Sequence, residues 1–235
     1  MKLLSREQLI PTGPVDHADW NYKPILGFIQ RLRFRLIKNL IGKREFGSLL
    51  EIGYGSGVFM PELAGHARRL AGIDIHAKHV EVAGVLAKNG IEADLRSASM
   101  TAIPFPDSSF DCVVAVSVME FVDDVDQACR EIRRVLKPGG EFLVVTPGKS
   151  PLLDFGLWVL TRQRAKNDFS GRRERVAPAL ERHFAAGGEI RSPRLGHQLI
   201  CLYRGIKVVR SAPAAADPDS GQSMRQADSA ASVRK

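Results

Sequence analysis

The sequence predicts an α/β fold built on a largely parallel sheet, and three stretches carry that expectation. Ser48 to Phe59, SLLEIGYGSGVF, is a short apolar run followed by glycines at alternate positions, Gly53, Gly55 and Gly57, and then by a helix start. Arg69 to Ile75 reads as a second short strand with a carboxylate, Asp74, near its end. Cys112 to Val116 is apolar throughout, as a parallel strand covered on both faces must be.

The first 24 residues carry Pro11, Gly13, Pro14 and Pro24 among polar and aromatic side chains, so they form an irregular lead-in. Within it, Trp20 and Tyr22 are costly to leave in water, and the segment from Asp16 is expected to fold back onto the body. It would then act either as a lid whose His17 and Tyr22 touch substrate, or as plain packing. Ile25 to Ile41 reads as an amphipathic helix with a stripe of Ile25, Ile29, Leu32, Leu36 and Leu40, widened by Phe28 and Ile37. Arg31, Arg33, Arg35, Lys38, Lys43 and Arg44 supply positive charge on and beyond the other side. That pattern suits a helix lying on an anionic membrane, and it equally suits a helix packed on a sheet with a solvated basic face.

Glycines are required in the turn after the first strand because the chain must adopt positive φ and a ligand must lie against bare backbone. A dinucleotide fingerprint would need its third small residue where Val58 stands. Further on, a helix is expected from Ser56 to about Ala67, and another from Ala77 to Asn89, stopped by Asn89-Gly90. A third strand is expected over Ile91 to Ala98 and a helix over Asp126 to Leu136. Lys137-Pro138-Gly139-Gly140 should turn the chain into a strand over Glu141 to Thr146. Beyond Pro151 the expectations are a helix over Leu152 to Arg164, another through Pro178 to Ala186, and an antiparallel pair over Glu189 to Leu195 and Leu199 to Val209. Ser211 to Lys235 has no apolar periodicity and is expected to be disordered. Three regions are thus expected: an N-terminal segment and basic helix over 1–45, a cofactor-binding domain over 46–210, and the tail over 211–235.

The run Glu51-x-Gly53-x-Gly55-x-Gly57 resembles motif I of the class I S-adenosylmethionine-dependent methyltransferases. Ile103-Pro104-Phe105-Pro106-Asp107-Ser108-Ser109-Phe110-Asp111 is similar to the run that precedes the fourth strand in their common small-molecule branch, and the LKPGG turn at Leu136 is a third shared feature. The resemblance implies a Rossmann-like, seven-stranded, mostly parallel sheet with helices on both faces and the last strand antiparallel. It also implies S-adenosyl-L-methionine as cofactor. Glu51, Gly53, Tyr54, Gly55 and Gly57 would then form the turn that holds it, and Asp74 with Ile75 would meet the ribose. Where these relatives place an aspartate for the adenine amino group, this chain has Ser99, beside Met100. Ser117 and Glu120 should border the transferred methyl group, with Glu120, Tyr22 or His17 as the reachable bases if the acceptor must lose a proton.

The 235 residues suffice for one sizeable core, and 44% hydrophobic with 26% charged residues is ordinary for a water-soluble globular chain. Cys112, Cys129 and Cys201 form no metal-ligand or redox pattern, which together with the lack of a signal-peptide core leads to the expectation of a cytoplasmic protein, peripheral to a membrane at most. The net charge of +8 suits an anionic small molecule, a lipid head group or RNA. DNA is disfavoured, because no motif of amino- or cytosine-methylating DNA enzymes is present. The expected reaction is O- or N-methylation of a small or lipid-like acceptor; a non-catalytic cofactor-binding regulator and an RNA methyltransferase are the alternatives. Oligomeric state cannot be read from the sequence.

Overall fold

The computed structural model describes residues 1–13, 18–148, 172–193 and 201–211. Seven strands form one sheet in the order β3-β2-β1-β4-β5-β7-β6. They are β1 (Phe46–Ile52), β2 (Ala67–Asp74), β3 (Ala93–Ser97), β4 (Phe110–Val116), β5 (Leu136–Pro147), β6 (Ala185–Ser192) and β7 (Tyr203–Val209). β1 to β5 pair in parallel, while β7 runs antiparallel to both β5 and β6. The strand order reverses at β1 and β4, so the crevice between their carboxyl ends is where an open α/β sheet binds ligands.

Among the described residues five α-helices accompany the sheet: α1 (Pro24–Ile41), α2 (Met60–Ala64), α3 (His79–Lys88), α4 (Val125–Val135) and α5 (Arg172–His183). The strands' side chains alternate between two cores. On β4, Val113 and Ala115 join the core that also holds Ile132 of α4 and Leu180 of α5. Cys112, Val114 and Val116 join the opposite core with Ile37 of α1 and Leu86 of α3. From Cys112 onward both faces of this strand are covered, which is why the sequence there shows no polar alternation.

Several boundaries differ from the sequence expectation. α2 is a single short turn, because the residues from Ser56 to Phe59 complete the glycine turn and Gly65 ends the helix before β2 begins at Ala67. β5 begins at Leu136, which pairs with Phe110; Glu141 pairs with Cys112, and the residues between bulge out with Gly139 at φ +77°. α5 starts at Arg172 and keeps Pro178 inside it, and β6 starts at Ala185. The small residues there form a bulge opposite Lys207, where a side chain on Gly187 would meet the Lys207 carbonyl at 2.9 Å.

The apolar stripe of α1 is also rotated. Phe34, Leu36, Ile37 and Ile41 are buried, whereas Ile25 is 80% and Phe28 52% exposed. Several of its cations are engaged locally: Arg31 donates to the Asn21 carbonyl, Lys38 pairs with Glu62 at 2.6 Å, and Arg44, just beyond the helix, pairs with Glu141. The expected helix from Leu152, the tail beyond Ser211 and His17 lie outside the described residues. Among the described residues no helix is long and apolar enough to cross a membrane.

Candidate functional site

A cavity of about 920 Å³ opens at the carboxyl ends of the parallel strands. Its floor is the turn after β1. Gly53, Gly55 and Gly57 all have positive φ, at +74°, +52° and +73°, so the chain there takes a path that L side chains resist. The Gly53 N–H donates to the Ile73 carbonyl at 2.8 Å, which ties the turn to β2. A Cβ on Gly53 would sit 2.6 Å from Val118 Cγ2, so bare backbone is required at this point of the wall.

Asp74, at the end of β2, closes the turn from the side. Its Oδ2 accepts the Gly55 N–H at 2.8 Å and its Oδ1 accepts the His76 N–H at 3.3 Å. His76 reaches back from the next residues: its Nε2 donates to the Gly55 carbonyl at 3.0 Å while Nδ1 accepts from the Lys78 N–H at 3.1 Å. With Nδ1 accepting and the Gly55 oxygen able only to accept, the two bonds place a ring proton on Nε2. The imidazole and the Tyr54 ring also meet in a T-shaped pair, 5.0 Å between centroids.

Glu51 lies beneath the turn and is 3% exposed, with its Oε2 buried and accepting no hydrogen bond. Burial, and then the neighbouring Asp74 carboxylate, push its pKa up to about 8, against the pull of the Arg33 guanidinium. Ser117 holds φ +53° at the end of β4, a strained setting for a serine, and its buried Oγ also makes no hydrogen bond. Glu120 is 1% exposed in the short 3-10 turn Met119–Phe121 that follows, and it lines the cavity.

The cavity therefore brings together Glu51, Gly53, Tyr54, Gly55, Asp74, Ile75, Ser99, Met100, Ser117 and Glu120. Ser99 sits in a local turn, its Oγ 2.7 Å from Thr101 Oγ1. Two sequence expectations need correction. Gly57 does not line the cavity: a Cβ there would meet Val82 and Leu86 of α3, so this glycine admits the helix rather than a ligand. Tyr22 points elsewhere, donating from its hydroxyl to the Leu4 carbonyl and lining a separate basic groove with Arg31, Arg35 and Lys38. From the lead-in, Thr12, Gly13, Ala18 and Trp20 reach the cavity.

The sequence reading did not assign His76, Gln30, Arg33, Phe34 or Tyr203, all of which line the cavity. The spacing of Gln30, Arg33 and Phe34 is a helical stripe, readable once the core face of α1 is known. Buried acceptors without partners and bare backbone under a cavity fit a polar, cation-bearing ligand with an amino-acid end. The acid of β2 fits a pair of ribose hydroxyls beside it.

A methyltransferase-domain family model matches residues 50–144. The chain is 37% identical over 123 residues to the ubiquinone/menaquinone biosynthesis C-methyltransferase UbiE of Hahella chejuensis, covering 50% of this chain and 49% of that one. It is 31% identical over 206 residues to the UbiE of Pseudomonas paraeruginosa, covering 77% of this chain and 80% of that one. The chain thus spans about half the length of the first of these relatives and four fifths of the second. Among solved structures, the N-methyltransferase NodS from Bradyrhizobium japonicum in complex with S-adenosyl-l-homocysteine superimposes with a TM-score of 0.61 at 18% identity. That match covers 85% of this chain and 94% of NodS, and at such identity it speaks to the fold.

Proposed function

The chain belongs to the S-adenosylmethionine-dependent methyltransferases, and on that premise we propose that it methylates a carbon atom of a lipid-like small molecule. The observation that carries the reading is one cavity uniting the glycine turn, the acid of β2 and a buried carboxylate after β4. Carbon replaces the oxygen or nitrogen expected from the sequence because the UbiE relatives are named as C-methyltransferases. Apolar and aromatic groups in the wall, among them Trp20, Phe34, Val118, Phe121 and Tyr203, support an acceptor with a large apolar part.

The cofactor supplies an electrophilic methyl group on a sulfonium with a neutral leaving group. The residues of this chain then have to bind, orient and exclude water. In this reading Glu51 receives the ammonium of the amino-acid end, and Gly53 and Gly55 offer backbone where a side chain would collide. Asp74 receives the ribose hydroxyls, and Ser99 and Met100 border the base. Glu120 accepts the proton that an acceptor carbon, or a hydroxyl beside it, must release. Its burial keeps water from competing for that proton.

The test uses the purified full chain, cofactor with an isotope-labelled methyl group, and a panel of prenylated phenols, quinols and sterols. Product in which the label is bonded to carbon is expected. Label found only on oxygen or nitrogen would overturn the assignment of the acceptor atom, and no transfer to any member would overturn the acceptor class.

A further inference from the structure

The face of α1 turned away from the core mixes apolar side chains with cations. Ile25, Phe28, Leu32 and Arg35 stand alternately three and four residues apart, so they form one stripe along the helix. Ile25 is 80% and Phe28 52% exposed, and Arg35 is exposed beside them. The Arg35 guanidinium lies over the Phe28 ring, 5.3 Å from its centroid, which keeps the charge next to the apolar surface. Arg35 also lines the basic groove of about 610 Å³ that runs between α1 and the lead-in, with Leu3, Leu4, Tyr22, Arg31 and Lys38. Lys38 is matched there by Glu62 at 2.6 Å, whereas among the described residues no carboxylate pairs with Arg31 or Arg35. Arg31 donates to the Asn21 carbonyl, so its charge is positioned without being neutralised.

We propose that this face docks the protein on an anionic lipid bilayer, with lipid phosphates in the groove against Arg31 and Arg35 and with Ile25 and Phe28 inserted among the acyl chains. A bilayer interface takes apolar tips and cations from one side of a helix at once, which water does not. A negatively charged surface attracts each cation within a Debye length, and the net charge of +8 adds a pull at longer range. A second copy of the chain is the poorer occupant, because a two-fold contact would set the same unneutralised guanidinium groups against each other. Trp20, in the turn that leads into α1, lines the methyl-transfer cavity, so the docked face adjoins an element of the cavity wall. The inference goes beyond the methyltransferase reading and stands without it, since bilayer binding is read with no methyl transfer.

The test is cosedimentation of the full chain with vesicles of phosphatidylcholine alone and of equal parts phosphatidylcholine and phosphatidylglycerol. Wild type should sediment with the anionic vesicles only, and less so as salt is raised. Arg35→Gln should weaken that partition about fivefold, while Arg35→Lys, which keeps the charge, should bind like wild type. Ile25→Ser combined with Phe28→Ser should weaken it by at least about tenfold. Thermal unfolding should be the same in all of these proteins, because the substituted side chains are exposed. Wild type that stays in solution with anionic vesicles, or that binds both kinds of vesicle equally, would overturn the inference. Anionic binding that neither Arg35→Gln nor the double serine variant weakens would place the contact on another face and overturn it as well. Sedimentation velocity supplies the remaining check: a wild-type dimer that the double serine variant dissolves would give the stripe to a second copy instead.

Discussion

The Gly55 backbone N–H donates to Asp74 Oδ2 at 2.8 Å, so the acid at the end of β2 holds the glycine turn at the end of β1. Asp74 thus has a structural task beside the ribose contact proposed for it, and the two can be separated by substitution. Asp74→Asn keeps an oxygen for the turn but offers the ribose one acceptor in place of two. We expect S-adenosylhomocysteine affinity to fall about tenfold in Asp74→Asn with little change in stability. Asp74→Ala should also lose about 1 to 3 kcal/mol of stability. Calorimetric titration and urea unfolding of the two variants check this; equal ligand affinity in Asp74→Asn and wild type would remove the ribose role.

Gly53 faces Val118 across the mouth of the turn, with 2.6 Å between its would-be Cβ and Val118 Cγ2. It also needs φ +74°. Gly53→Ala therefore meets two separate obstacles, backbone strain of roughly 1 kcal/mol and a collision with a β-branched side chain of limited rotamer freedom. We expect a loss of about 2 to 3 kcal/mol in Gly53→Ala. The double variant Gly53→Ala with Val118→Ala should recover the collision part alone. Urea unfolding of both reads it, and a double variant no more stable than the single one would show that Val118 is not the obstacle.

What could be read from the sequence follows from how narrowly physics restricts a position. The turn from Gly53 to Gly55 and the acid at the end of β2 were legible as structure, because a turn at positive φ tolerates few residue types and Asp74 stands at the strand end that faces it. Gly57 shares the same positive φ, but its reason is the approach of Val82, a contact between segments that a local pattern does not reveal. Tyr22 was misplaced for a similar cause: in an irregular segment an aromatic points wherever a partner stands, here the Leu4 carbonyl. Arg33 looked like one more cation on a basic helix face, because Ile25 and Phe28 drew the apolar stripe toward solvent. The seven-stranded, mostly parallel sheet came from the resemblance to a family and the antiparallel last pair also from the short connection between its strands, while the strand order is seen only in the structure.

Glu51 gives the protein a stability that depends on pH with a predictable sign. Its ordinary value is 4.5, and burial raises it to about 8 in the folded chain. Between those values the folded state keeps a proton that the unfolded chain has released, so stability is full below 4.5 and is lost as pH rises through about 8. Glu51→Gln, which cannot ionise, should lack this slope and exceed wild type by roughly 2 to 4 kcal/mol above about pH 8. Urea unfolding across that range measures it, and parallel pH profiles for the two proteins would refute the burial of an ionisable Glu51.

Glu120 is the group asked to take a proton, and its burial at 1% exposure makes the demand testable. Glu120→Gln is nearly isosteric, so the cavity shape and the cofactor's contacts with the glycine turn should persist. We expect kcat to fall about 10²- to 10⁴-fold while S-adenosylhomocysteine affinity stays within about threefold. Equal losses in both would mean that the carboxylate serves binding instead.

At the far edge of the sheet, Glu189 on β6 accepts from Arg204 Nη2 on β7 at 2.8 Å and from Arg191 Nε at 2.6 Å. The hydrogen bond from Arg204 is the largest cause of its pKa falling to about 2, with Arg191 adding to it against a cost of burial. The sign here is opposite to that of Glu51. Stability from Glu189 is present above the ordinary 4.5 and is lost as pH falls through about 2, because the unfolded chain takes up the proton first. Glu189→Gln should therefore be less stable than wild type at neutral pH and should converge with it near pH 2. Unfolding followed by circular dichroism along an acid series checks this, and a gap that stays constant as the acid is added would mean that packing, and not the ion pairs, holds β6 to β7.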